Sequence, residues 1–302
     1  MFQVLLALWP IFGLILFGYV LRRGRFLEQG FWDGAERLNY FLLFPALLVG
    51  SMAEAPFFSP ELPKIALLAL LGVFLVWCLL LLLRRRYGWP AARFGVLAQS
   101  ALRFNTYLGL ATVSALYGAH GLAIAAIIMA IKIPILNLLS VWALASGQQL
   151  SVWQMARPVL KNPLIQACLL GIALNLSGIG LPLGSDNLIK MLGAGSLPLG
   201  LLCVGAALQP ARLLDERAVM LLSSMVRLIA IPLVITLLAR LLGMPAQASA
   251  LVIIFFALPT APTAYILTRQ MKGDSELMAG IITMQTLLAA LTLPLVLSLL
   301  PG

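Results

Sequence analysis

Long apolar runs alternate with short polar connections from one end of the chain to the other. Divided at its charged and Gly/Pro-rich stretches, the sequence gives ten apolar segments: 4–21, 38–53, 65–83, 95–117, 122–145, 163–177, 188–208, 219–242, 249–267 and 277–300. An α-helix needs roughly 20 residues to cross the hydrocarbon core, and most of these runs approach or exceed that length, the second and sixth being short. The pattern predicts an all-α integral membrane protein of ten transmembrane helices. The first run starts at Phe2 without a charged leader or a small-residue cleavage site, so it reads as a retained helix.

Composition leaves no room for a soluble domain beside them: of 302 residues 62% are hydrophobic and 10% charged, with a mean hydropathy of +1.04. The net charge of +10 does not point to nucleic acid, because the basic residues are scattered through short loops and form no continuous stripe. Their distribution does fix a topology. Alternate loops carry fourteen of the twenty Lys and Arg residues, among them Arg22, Arg23, Arg84, Arg85, Arg86, Arg212 and Arg269. The opposite loops hold only Lys64, Lys190 and Arg240, and Arg103, Lys132 and Arg227 fall within spans. Cytoplasmic loops take the positive excess, which sets both termini outside; one span more or fewer would destroy the segregation.

Five spans in each half force the second half to enter the bilayer in the opposite sense. Residues 1–153 and 154–302 are then two inverted repeats, as in many secondary transporters. Segments two and seven share an apolar-Pro step followed by a Gly-containing run, Phe44-Pro45 to Gly50 and Leu197-Pro198 to Gly205. Segments four and nine are the most interrupted by polar residues, Gly or Pro.

Those two segments carry the candidate chemistry. Segment four places Arg103, Asn105, Thr106 and Tyr107 near mid-depth, where polar groups must face protein or a cavity. Segment nine reads Leu258-Pro259-Thr260-Ala261-Pro262-Thr263, and its two prolines remove amide donors and free carbonyls one turn back, predicting an unwound stretch. Broken helices offer amide ends that favour an anion and carbonyl ends that favour a cation. The plainer alternative is a pair of Pro-kinked packing helices. Arg103, Lys132 and Arg227 give the interior positive charge with no mid-depth Asp or Glu beside it, so a bound carboxylate would relieve them. Alternatively the arginines snorkel or bond backbone carbonyls. An ammonium in a low-dielectric site can release its proton where a guanidinium effectively cannot, which makes Lys132 the candidate for proton coupling. Asn137 and Gln285 are read as ligand contacts or as helix–helix hydrogen bonds.

Other chemistries are not supported. Cys78, Cys168 and Cys203 are far apart, with no spacing for zinc or a redox pair, so no metal or cofactor is expected. One peripheral His120, no mid-depth acid, and no GxSxG or HExxH leave no catalytic constellation, and the chain is not read as an enzyme.

Four stretches, in this order, resemble the auxin efflux carrier family, which includes plant auxin exporters and bacterial malonate or malate permeases. They are Leu38-Asn39-Tyr40-Phe41-Leu42-Leu43-Phe44-Pro45; Arg103-Phe104-Asn105-Thr106 with Leu108-Gly109-Leu110; Lys161-Asn162-Pro163-Leu164-Ile165; and Ala257-Leu258-Pro259-Thr260-Ala261-Pro262. The resemblance covers nearly the whole chain. It implies a scaffold of spans one, two, six and seven and a mobile unit of spans three to five and eight to ten. It also implies broken crossing helices four and nine, elevator-like movement, and a homodimer. Asn105 and Pro259 would mark the crossing, with Thr106, Thr260 and Thr263 donating to a carboxylate. Ala111 stands where many members have Pro, which leaves the position of the fourth-span break open. The short connection after segment five fits the compact microbial type, hence a multi-pass protein of a bacterial inner membrane. The function so implied is transport of a small mono- or dicarboxylate. The alternatives are a sodium-coupled bile-acid-type carrier, which would want a mid-depth carboxylate for its ion, and a membrane sensor that binds an anion without flux.

Overall fold

A computed structural model describes residues 2–145, 153, 157, 160–181 and 184–298, and every element among them is helical. The proposed boundary between repeats, at 153/154, falls where most residues lie outside this set. Helix α1 spans Phe2–Arg23, and α2 (Gln29–Leu38) runs through a π-turn (Asn39–Leu43) into α3 (Phe44–Ala53). Next come α4 (Leu62–Tyr87), α5 (Ala91–Leu102), and the stretch Thr106–Ala145, which Gly118 divides into α6 (106–117) and α7 (119–145). The second half holds α8 (Pro163–Leu176), α9 (Ser185–Ala206) and α10 (Arg217–Met225), which continues through a π-turn (Val226–Ala230) into α11 (Ile231–Leu241). It ends with α12 (Ala246–Ala257), α13 (Thr263–Gln270) and α14 (Ser275–Ser298).

Six stretches among the described residues are long and apolar enough to cross a bilayer, fewer than the ten apolar segments of the sequence. The difference has local causes. α8 and α12 are apolar but short, and segment 38–53 is split between a π-turn and the ten-residue α3. Residues 91–145 count as one stretch although they contain a break at 103–105 and the turn at Gly118. Gly118 has φ 60° and ψ −152°, a conformation open essentially to glycine alone. There the chain folds back: a Cβ on Gly121 would lie 3.0 Å from the Val113 side chain, eight residues earlier. A continuous helix would hold those residues about 12 Å apart. His120, expected in a short loop, therefore sits in the first turn of α7.

Both π-turns precede a proline, Pro45 and Pro232. A proline in a regular helix clashes with the carbonyl four residues back. Widening the turn relieves that clash: Phe44 N–H bonds the Asn39 carbonyl and Ile231 N–H the Val226 carbonyl, each five residues earlier. Each wide turn also holds a buried polar residue, Asn39 and Arg227, turned toward the interior.

Helices α1, α3, α8 and α9 form one panel, with α1 against α9 and α3 against both α8 and α9. Small residues make this approach close. A Cβ on Gly205 would fall 1.8 Å from the Ile15 carbonyl oxygen, and one on Gly18 2.1 Å from that of Leu202. A reciprocal pair holds α9 to the first π-turn: Asn39 Nδ2 donates to the Ser196 carbonyl at 3.0 Å, and Ser196 Oγ to Asn39 Oδ1 at 2.9 Å. α2 lies against the first π-turn and α9, the helices of the other group pack about the two breaks, at 103–105 and 258–262, and α6 with α7 bridges that group to the panel.

Candidate functional site

α5 ends at Leu102 and α12 at Ala257, and the extended backbone beyond them meets: Asn105 N–H donates to the Pro259 carbonyl at 2.8 Å. Pro259 and Pro262 supply the second break as their chemistry requires. No proline makes the first. There Asn105 starts the new helix by capping it, its Oδ1 accepting from Leu108 N–H at 3.1 Å. The stretch Leu108-Gly109-Leu110, and Ala111 after it, lie within α6, past the break.

Buried side chains bind the two breaks to their neighbours. Thr260 N–H donates to Gln285 Oε1 at 2.9 Å, and Thr260 Oγ1 lies 2.8 Å from the same oxygen and 2.9 Å from the Ser100 carbonyl. Arg227 Nε donates to the Leu258 carbonyl at 2.8 Å, Nη1 to Ala101 at 2.7 Å and Nη2 to Phe255 at 3.2 Å. This is the carbonyl-bonding alternative raised for the arginines. Lys132 is also fully buried. Its Nζ lies 3.4 Å from the centre of the Phe256 ring and 5.0 Å from that of Phe104, with no hydrogen-bond partner among the described residues.

In front of this layer lies a tight chamber of about 60 Å³. Arg103, Asn105, Thr106, Tyr107, Asn137, Pro262 and Thr263 border it. Arg103 is half-buried, and its Nη2 donates to Thr263 Oγ1 at 3.2 Å. Thr106 and Thr263 are the first residues of α6 and α13, so two helix N-termini begin at the chamber, where helix dipoles favour negative charge. Among the described residues no carboxylate lies within 4 Å of Arg103, Lys132 or Arg227.

Of the expected site residues, then, seven border the chamber. Lys132, Pro259, Thr260 and Gln285 sit behind it. Sequence reasoning missed Glu36, Tyr40 and Asn162, which also border it. Glu36 changes the picture of an interior without acids: the amphipathic α2 brings its carboxylate to the chamber that holds Arg103. The spacing Gln29, Asp33, Glu36, Arg37 along one helical face carried that signal. Asn162 caps α8 through Leu164 N–H at 2.9 Å.

The chamber opens into a vestibule of about 500 Å³ that shares Glu36, Tyr40, Arg103, Asn137, Asn162 and Thr263 with it. A further hollow of about 740 Å³, bordered by Arg22, Arg23, Arg212 and Arg269, adjoins through Asp33 and Glu36. Access is therefore from the face that carries the basic loops. At the other face a separate hollow of about 390 Å³ holds His120 and the Glu54–Lys190 ion pair, 3.2 Å apart, and shares no residue with the chamber.

A family model described as "Membrane transport protein" matches residues 3–297. No curated protein matches the chain.

Proposed function

The chain belongs to the membrane transport protein family, the auxin efflux carrier family, and on that premise we propose that this multi-pass membrane transporter carries a small organic anion, a mono- or dicarboxylate such as malonate or malate. The observation that carries the reading is the chamber itself. A half-buried guanidinium and two helix N-termini converge on one small space, with no carboxylate among the described residues within 4 Å of that guanidinium. Glu36 also borders that space, and a ligand's carboxylate would supply the charged partner that Arg103 lacks among the described residues.

The proposal extends to movement. Ten spans in two inverted halves carry a scaffold of spans one, two, six and seven, and the rest slides past it as an elevator in a homodimer in the cell membrane, with both termini outside. The close panel of α1, α3, α8 and α9 supports the scaffold, and the two breaks joined at Asn105 and Pro259 support the mobile core. With its vestibules on the basic face, the molecule is in an inward-open state.

Purified protein in liposomes tests this directly, by uptake of labelled malonate, malate and a panel of monocarboxylates. Saturable uptake of at least one is expected. Binding without flux would make the chain a sensor and sink the carrier reading.

Proton coupling is assigned to Lys132, whose amine has no hydrogen-bond partner among the described residues and lies one aromatic ring behind the chamber, beyond Phe104. Lys132→Gln is expected to abolish stimulation of uptake by an inward proton gradient while exchange of substrate at equal pH persists. A variant that responds to the gradient like wild type removes Lys132 from the coupling.

A further inference from the structure

Arg227 does something that neither ligand binding nor ordinary packing explains. Its three hydrogen bonds end on carbonyls of two different broken helices: Ala101 in the last turn of α5, Phe255 in the last turn of α12, and Leu258 just beyond it. A helix C-terminus carries unpaired carbonyls and the negative end of the dipole. Two such ends facing each other at mid-depth repel, and the carbonyls lack water to bond. In cation-coupled carriers with broken helices, unwound carbonyls and half-helix C-terminal ends hold the coupling ion. Here a side chain from the π-turn between α10 and α11 fills that place. It is fully buried, and the Lys132 amine lies nearby against Phe256, the residue after Phe255.

We propose that Arg227 is a built-in counterpart of a coupling metal ion: its guanidinium occupies the carbonyl-lined position between the two breaks, so that transport by this chain requires no sodium. The inference rests on the carrier reading for its transport consequence, but not for the existence of the cation position. A tethered cation is always present at unit occupancy. The mobile core is therefore assembled before substrate arrives, whereas a free ion would have to bind first. Planarity also matters, since a guanidinium can serve three acceptors at once where an ammonium is a compact point charge.

The test compares wild type, Arg227→Ala and Arg227→Lys in liposomes and in detergent. Wild-type malonate uptake is expected to be the same, within about twofold, in sodium, potassium or choline chloride at equal ionic strength. Arg227→Ala loses about tenfold or more of uptake and unfolds at lower temperature. Millimolar methylguanidinium raises its melting temperature and restores part of its uptake, while wild type responds in neither readout. Arg227→Lys keeps a cation on the carbonyls, so it retains more uptake than Arg227→Ala and stays indifferent to sodium. Should Arg227→Ala yield no folded protein, sodium indifference of wild type and of Arg227→Lys carries the test. Sodium stimulation of wild type by several-fold overturns the proposal. So does an Arg227→Ala protein that no small cation stabilises, or an Arg227→Lys protein as inactive as Arg227→Ala. If wild type takes up no carboxylate at all, the carrier reading fails, and stabilisation of Arg227→Ala by methylguanidinium still decides the cation position.

Discussion

Arg103→Gln should reduce carboxylate uptake at subsaturating substrate by about a hundredfold, with little change in folding. Arg103 is the cation that borders the chamber, so its loss removes the charge that a bound carboxylate would meet. A hydrogen bond to a charged group contributes about 1.5–3 kcal/mol. Two unit charges about 4 Å apart at an effective dielectric constant near 20 attract by about 4 kcal/mol, an upper limit before desolvation is subtracted. A net loss of about 3 kcal/mol corresponds to roughly two orders of magnitude in affinity. Stability should move little, because the side chain is half-buried and makes a single hydrogen bond among the described residues, to the uncharged hydroxyl of Thr263. Arg103→Lys keeps the charge but loses the planar fork, and is expected to fall between the two. Uptake kinetics and thermal unfolding measured together decide the matter. An Arg103→Gln protein with unchanged KM and rate would mean that the substrate carboxylate binds elsewhere.

The contrast among the three intramembrane cations marks how far sequence alone reaches. The sequence gives each of them a place between its flanking loops, since distance along a helix gives position along its axis. It does not give direction. Arg103 lies in non-helical backbone, where no periodicity assigns a face. Arg227 lies in a π-turn, and one extra residue in the turn rotates everything beyond it by about 100° relative to an ideal helix. A wheel carried through Arg227 into α11 therefore misplaces the residues beyond it. Lys132 sits in regular α7, yet its surroundings are aromatic rings from other segments, Phe104 and Phe256, which spacing along one chain cannot bring together.

The helix breaks divide in the same way. Two prolines three residues apart announced the interruption at 258–262, whereas the one at 103–105 depends on Asn105 capping a new helix, a weaker local signal. Glu36 was hidden for a different reason. It belongs to a helix too polar to register as a span, so apolar runs alone leave it in a loop. Amphipathic periodicity over 29–38 would have recovered it.

The second large effect concerns the layer behind the chamber. In the break at 258–262, Thr260 N–H bonds no helical carbonyl; Gln285 Oε1 accepts it, and the Thr260 hydroxyl lies within reach of the same oxygen. All of these atoms belong to residues with no solvent exposure. Gln285→Leu strands a buried backbone donor at a cost of about 1–3 kcal/mol and weakens the hydroxyl's bonding as well. A total near 3 kcal/mol should lower the melting temperature by about 5–10 °C. Thr260→Val is expected to cost less, because its N–H stays bonded and only the hydroxyl is lost. Since both changes remove parts of one network, the double variant should be milder than the sum of the singles by about 1 kcal/mol or more. Transport should fall further than stability. Thr260 fixes the backbone three residues before Thr263, and a drifting break displaces both that hydroxyl and the first turn of α13 from the Arg103 side of the chamber. The signature is a raised KM for the carboxylate in Gln285→Leu at temperatures well below its unfolding. Additive single and double variants with an unaltered KM would show that the break keeps its shape without the glutamine, leaving Arg227 as what holds it.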